Sequence, residues 1–268
     1  MESVLKKETI KLGSSGELVK YLQRILRSLG YSEILVDGDF GPRTDAAIRN
    51  YQIKGNLVVD GIVGPNTWVS LEKNNMSLSL SDYQRCSSLL GVPVAAIKAV
   101  QEVETAGRGG FLDKDRPVIL FEGHIFWDRL QKHGLDPNDY VTSNGDILYK
   151  KWTKAHYLGG TKEYYRLERA EKIHHLAALE SASWGMFQIM GFNYSACDCR
   201  GVEEFVNEMS QSEGRQLDLF CQFIKHNGWD KYLRNLEWAE FAKRYNGPGY
   251  RENKYDEKLE KAFKKHSV

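Results

Sequence analysis

The nine residues from Val36 to Thr44 read VDGDFGPRT, and the pattern returns from Val59 to Thr67 as VDGIVGPNT, with Val, Asp, both Gly, Pro and Thr identical. A repeat this close together means that one supersecondary unit occurs twice. In each copy Asp-Gly supplies a turn, and Pro followed by Thr opens a segment of helical character, Asp45 to Gln52 after the first and Trp68 to Leu71 after the second. Ahead of the first copy, Leu18, Leu22, Ile25, Leu26 and Leu29 recur at helical spacing, and Gly30 stands where a helix ends. The spacing predicts a three-helix bundle in about 65 residues, near the lower size limit for an unaided core.

With Leu12-Gly13, Leu22-Gln23, Val36-Asp37-Gly38, Tyr51-Gln52, Val59-Asp60-Gly61 and Thr67-Trp68 in place, residues 9–72 resemble the small peptidoglycan-binding module of cell-wall hydrolases. The resemblance implies a shallow groove between the repeat turns that takes glycan and peptide stem. It puts Asp37, Asp39, Tyr51, Gln52 and Trp68 near that groove.

Charge excludes other partners. The first 75 residues hold 10 basic and 9 acidic side chains and the remainder 27 of each, which is neither a nucleic-acid polycation nor an acidic tail. No window approaches 18 apolar residues and no signal-peptide pattern is visible, so neither a membrane span nor secretion is expected. Cys86, Cys197, Cys199 and Cys221 are too unevenly spaced for a disulfide scaffold, and the seven histidines show no zinc-site spacing. A reduced, cytoplasmic product without metal or cofactor is expected.

Domain limits of 1–74 and 82–268 follow, joined by a polar linker at 75–81 in KNNMSLSLS. Helices are predicted over 82–90, 93–104, 162–181, 202–227, 230–245 and 251–266, and no run of alternating strands appears. In the second of these helices Val94, Ile97, Val100 and Val103 make an apolar arc, and Glu104 continues it at the helix end. A carboxyl there is costly as an anion, so its pKa should rise and leave it a proton donor near neutrality, which glycosidic cleavage asks of a general acid. Glu102 projects away from the arc beside Lys98 and reads as a solvated salt-bridging residue.

The segments Val103 to Gly107, Gly110-Phe111-Leu112, Arg116 to His124, Ala182 to Gly191 and Arg244-Tyr245-Asn246-Gly247 resemble the N-acetylmuramidase domain of phage endolysins. They resemble more distantly goose-type lysozymes and lytic transglycosylases. The resemblance implies a larger lysozyme-like α-helical domain after the small bundle, with the family's acid at Glu104 and a second acidic position at Glu122. It also implies a cleft lined by Gln188, Tyr245, Asn246 and Trp184, although ordinary core packing is the favoured use of Trp184 from residue type alone. Glu122 is open to three readings: base for water, charge stabiliser, or structural carboxylate paired with Arg116 or His124. Asp113, Asp115 and Glu180 are weaker candidates.

The expected function is that of a monomeric endolysin held in the host cytoplasm until released to the wall, hydrolysing the β-1,4 bond between N-acetylmuramic acid and N-acetylglucosamine. A lytic transglycosylase giving 1,6-anhydro products and a non-catalytic wall-binding virion protein are the alternatives.

Overall fold

Each Asp-Gly turn of the repeat is braced from behind by a glutamine of the preceding helix. The computed structural model describes residues 8–73, 77–113 and 116–267, and its chain divides into two compact units, Met1–Ser77 and Leu78–Val268. In the first unit α1 (Glu17–Ser28), α2 (Pro42–Lys54) and α3 (Pro65–Lys73) surround a core of Val19, Leu22, Ile25, Leu26, Ile48, Val63 and Leu71. Gln23 of α1 donates to Asp37 Oδ1 at 2.8 Å, the Asp39 carbonyl at 3.0 Å and Thr44 Oγ1 at 3.4 Å, and accepts from Gly38 N–H at 2.9 Å. Gln52 of α2 repeats the arrangement with Asp60, Ile62, Thr67 and Gly61. In both turns the Asp carboxylate also accepts the N–H two residues on, which closes the turn locally.

This geometry corrects the expected groove. Gln52 is fully buried with its amide spent on the turn. Trp68 is 3% exposed, stacks on Tyr21 and donates its indole N–H to the Glu8 carbonyl at 3.1 Å. Tyr51 is buried, with its hydroxyl 2.8 Å from Ser70 Oγ. These three are framework, because each is buried with its polar group bonded within the bundle. Asp37 is exposed but tied into its turn, and its pKa is held below the usual carboxylate range by hydrogen bonds from Asp39 N–H and Gln23. Asp39 is exposed.

The second unit begins with α4 (Leu80–Leu90), capped by a reciprocal Ser79/Asp82 box. Ser79, Leu80 and Ser81 therefore belong to a capped helix rather than to the linker. Next come α5 (Val94–Thr105), β1 (Phe111–Asp113), β2 (Arg116–Pro117), β3 (Ile119–Phe121) and α6 (Gly123–Lys132). After a long loop follow α7 (Lys162–Glu171), α8 (His175–Glu180), β4 (Ala182–Trp184) and β5 (Ile189–Met190). Helices α9 (Val202–Met209), α10 (Glu213–His226), α11 (Asp230–Arg234), α12 (Trp238–Asn246) and α13 (Tyr255–His266) complete the unit.

Strand β4 lies between β3 and β5, antiparallel to both, with Ile119 opposite Trp184 and Phe121 opposite Ala182. Three predicted helices are each broken in two. His174 caps α8 by accepting Ala177 N–H, Ser212 caps α10, and Leu236 at φ 56° turns the chain between α11 and α12. Helix α6 and the small sheet were not predicted, since strands of two or three residues carry no alternation. Glu102 is a further correction: instead of Lys98 it binds Lys265 at 2.9 Å and His266 at 2.8 Å, tying the end of α13 to α5.

Candidate active site

Helix α5 ends in left-handed backbone, Ala106 at φ 48° and Gly107 at φ 74°, so the chain turns away immediately after Glu104. Glu104 is half-buried, and burial pushes its carboxyl up to about 7 against a hydrogen bond from Asn246 that favours the anion. Asn246 Nδ2 donates to Glu104 Oε2 at 2.9 Å across 142 residues of sequence. Glu104 Oε1 and Asn246 Oδ1 are buried and have no hydrogen-bond partner among the described residues. Burying polar atoms in this way is costly unless something binds them.

Tyr245, beside Asn246 at the end of α12, donates its hydroxyl to the Phe187 carbonyl at 3.0 Å and packs on Phe220 and Phe241. Burial and the nearby Glu104 carboxyl raise its pKa. Phe187 lies in the turn between β4 and β5, which closes through Gln188. That residue adopts φ 50° and donates to the Gly185 carbonyl at 2.8 Å, while its Oε1 accepts from Ser183 Oγ at 2.9 Å. Gln188 is exposed at the tip, with much of its amide engaged in shaping the turn.

Two residues that no sequence pattern marked hold this corner together. Buried Gln216 of α10 accepts Met186 N–H at 2.8 Å and donates to the Gly110 carbonyl at 3.2 Å, joining the turn to the chain leaving Glu104. A Cβ on Gly110 would stand 2.0 Å from the Gln216 oxygen, which explains glycine there. Glu213, one turn earlier, accepts Gly110 N–H at 2.8 Å and Leu78 N–H at 3.3 Å. The Gly110 carbonyl also receives Val118 N–H, and the Val118 carbonyl receives Gly185 N–H.

Trp184 is a correction to the expected cleft lining. Its ring is 2% exposed and its indole N–H donates to the Leu179 carbonyl at 3.1 Å. It is core, and no sugar can reach its face. Phe187 is likewise buried, stacked on Phe220 at 4.0 Å.

Glu122 is positioned separately. It follows β3 as the N-cap of α6, and both of its oxygens accept from the Tyr157 hydroxyl, at 2.8 and 2.7 Å. His124 Nδ1 lies 3.3 Å away. Of the partners expected, His124 is therefore the one present, because Arg116 pairs with Asp113. Glu180 is engaged by His133 at 3.1 Å and lies 3.9 Å from Arg129. Asp115 lies outside the described residues. Among those residues no cluster of three or more His, Cys, Asp or Glu could hold a metal ion, and no single helix is long and apolar enough to cross a membrane.

A buried carboxyl at a helix end, set against a small antiparallel sheet and enclosed by helices, defines a lysozyme-like domain, preceded here by a wall-binding type of bundle. Comparison with known proteins narrows this. Residues 93–267 match the N-acetylmuramidase family and residues 15–71 a peptidoglycan binding domain. The chain belongs to the N-acetylmuramidase family. The crystal structure of the Burkholderia AP3 phage endolysin is similar over 97% of this chain and 99% of that one, at 40% identity and a TM-score of 0.67. Partial relatives include the zinc D-Ala-D-Ala carboxypeptidase of Streptomyces albus G, 34% identical over 30% of this chain and 34% of its own length. A spore cortex-lytic enzyme of Halalkalibacterium halodurans is 41% identical over 25% of this chain and 20% of its own. The chain thus spans about a third or less of these two curated relatives.

Proposed function

We propose that the chain is a peptidoglycan hydrolase that cleaves the β-1,4 bond between N-acetylmuramic acid and N-acetylglucosamine, with Glu104 as general acid. The carrying observation is the Glu104 carboxyl, raised to about 7 by burial and held at one oxygen by Asn246, with Oε1 unpartnered. Glycosidic cleavage runs through an oxocarbenium-like state and needs a proton on the departing oxygen. An acid with a pKa near the working pH is both protonated and willing to give up its proton. Asn246 fixes Oε2, so Oε1 is the atom left to protonate the glycosidic oxygen. Tyr245 holds Asn246 in place through its bond to Phe187.

A second reading, lytic transglycosylation, has one observation in its favour. Glu122 lies beyond the end of β3 remote from the Gly185–Gln188 turn, with both oxygens occupied by Tyr157. An intramolecular attack by the substrate's C6 hydroxyl requires no second carboxylate.

The first unit holds the enzyme on the wall, and two weak contacts on one polymer strengthen attachment without a new interface. The same reading has the protein monomeric and stored in the host cytoplasm. Sedimentation tests the former, and lysis of cells with and without membrane permeabilisation tests the latter. Mass spectrometry of peptidoglycan digested by wild type and Glu104→Gln tests the chemistry. Reducible muropeptides ending in N-acetylmuramic acid, absent with the variant, are expected. Anhydro ends would move the enzyme to the second reading, and unchanged digestion by the variant would remove Glu104 from the chemistry.

A further inference from the structure

The loop between Tyr149 and Gly160 holds out an aromatic ring that the Glu104 corner does not use. Of the six tryptophans, five are buried or half-buried, whereas Trp152 is 57% exposed. Leaving an indole in water forfeits the gain of burying it, and this one is fastened in place. Its side chain lies beside Tyr157, whose hydroxyl donates to both oxygens of Glu122. The loop behind it is clamped by Glu163, which accepts Leu158 N–H at 2.7 Å and Gly159 N–H at 2.9 Å. Glu163 is itself buried in a 2.8 Å ion pair with Arg166, whose guanidinium lies 5.9 Å from the Tyr157 ring centre and also binds the Phe121 carbonyl next to Glu122. One exposed ammonium group stands at the platform: Lys154 lies 5.7 Å from the Trp152 ring centre, whereas Lys150, two residues before Trp152, lies 4.8 Å from the Trp127 ring centre.

Resting on the peptidoglycan reading above, we propose that Trp152, Tyr157 and Glu122 form a glycan subsite remote from the reacting bond, with Lys154 taking an acidic group of a peptide stem. A pyranose presents a face of C–H bonds that stacks on an indole, and its hydroxyls and acetamido N–H lie at the ring edge, where Tyr157 and Glu122 offer oxygen atoms. Its remoteness follows from the fold. Val118 bonds to the Gly185 turn, and Glu122 stands four residues further along extended chain, about 13 Å away at 3.3 Å per residue. Glu122 on this account binds saccharide and does not activate water.

The test uses the full chain and three soluble substrates: glycan strands bearing peptide stems, strands stripped of stems, and an aryl disaccharide too short to reach Trp152 from Glu104. Trp152→Ala is expected to raise KM about tenfold on both kinds of strand, with kcat held and no change on the disaccharide, and Trp152→Phe to recover most of the loss. Lys154→Ala is expected to raise KM only on stem-bearing strands, an effect that fades with salt. An unchanged KM for Trp152→Ala on strands, or an equal loss on the disaccharide, overturns the platform. A lysine effect that ignores the stems overturns the stem contact. Failure of the wild type to cut any strand would instead remove the peptidoglycan reading itself, so the two failures are told apart.

Discussion

The Asp-Gly turns of the first unit and the Glu104 corner of the second are both built from polar side chains set among apolar ones, yet their hydrogen bonding differs. Around Gln23 and Gln52 the amide nitrogen and oxygen both have partners within the turn. At the Glu104 corner two buried oxygens, Glu104 Oε1 and Asn246 Oδ1, have none. A satisfied buried network rigidifies a fold, whereas an unsatisfied one is tolerated where a ligand completes it. The two glutamines of the turns are therefore framework, whereas the corner leaves polar atoms for a ligand to satisfy, which is where the proposed chemistry falls.

The sharpest way to break that comparison is Glu104→Gln, expected to lower turnover about 10²–10⁴-fold with the fold retained by circular dichroism. Its stability should move the other way. The folded pKa of about 7 exceeds the ordinary 4.5, so protonation of Glu104 favours the folded state below pH 4.5 and that contribution is lost as pH rises through 7. The variant does not titrate, and its thermal advantage over wild type should grow across that window to about 2–3 kcal/mol.

Next in size, Gln52→Leu should cost the first unit about 1–3 kcal/mol, because Gly61 N–H loses its buried acceptor. Calorimetry should find this loss with activity on soluble glycan unaltered. A variant equally stable but unable to bind walls would make Gln52 a ligand contact and dissolve the comparison.

Asn246→Ala removes a donor that favours the Glu104 anion. The basic limb of the kcat/KM profile should shift upward by about one pH unit, and a downward shift would contradict the assigned polarity of that bond. The smallest effect is expected for Asp39→Ala, exposed and outside the core. Stability should stay within about 0.5 kcal/mol while pull-down on purified walls weakens a few-fold.

How much could be read in advance depended on distance along the chain. The repeat turns, the apolar face of α1 and the helix ending at Glu104 are local patterns, and they were legible. The glutamine braces were not, because Gln23 acts 14 residues before Asp37 and Gln52 only eight before Asp60, so the duplication is not in register. Glu163 and Arg166 sit on a helix that reads as polar all round, Lys162–Glu171, and nothing in its pattern reveals that both are buried. Gln216 and Tyr157 carry no motif at all. Trp68 and Trp184 were readable as apolar, but only packing decided between core and cleft.

By itself the sequence determined two largely helical units, a duplicated turn, and a carboxyl at the end of an apolar helix face, since turn chemistry and helical periodicity act over a few residues. The tertiary structure alone decided which polar atoms are satisfied. Glu104 meets Asn246 across 142 residues and Glu122 meets Tyr157 across 35, and desolvation, which separates a proton donor from an ordinary surface glutamate, exists only once distant segments have closed over it.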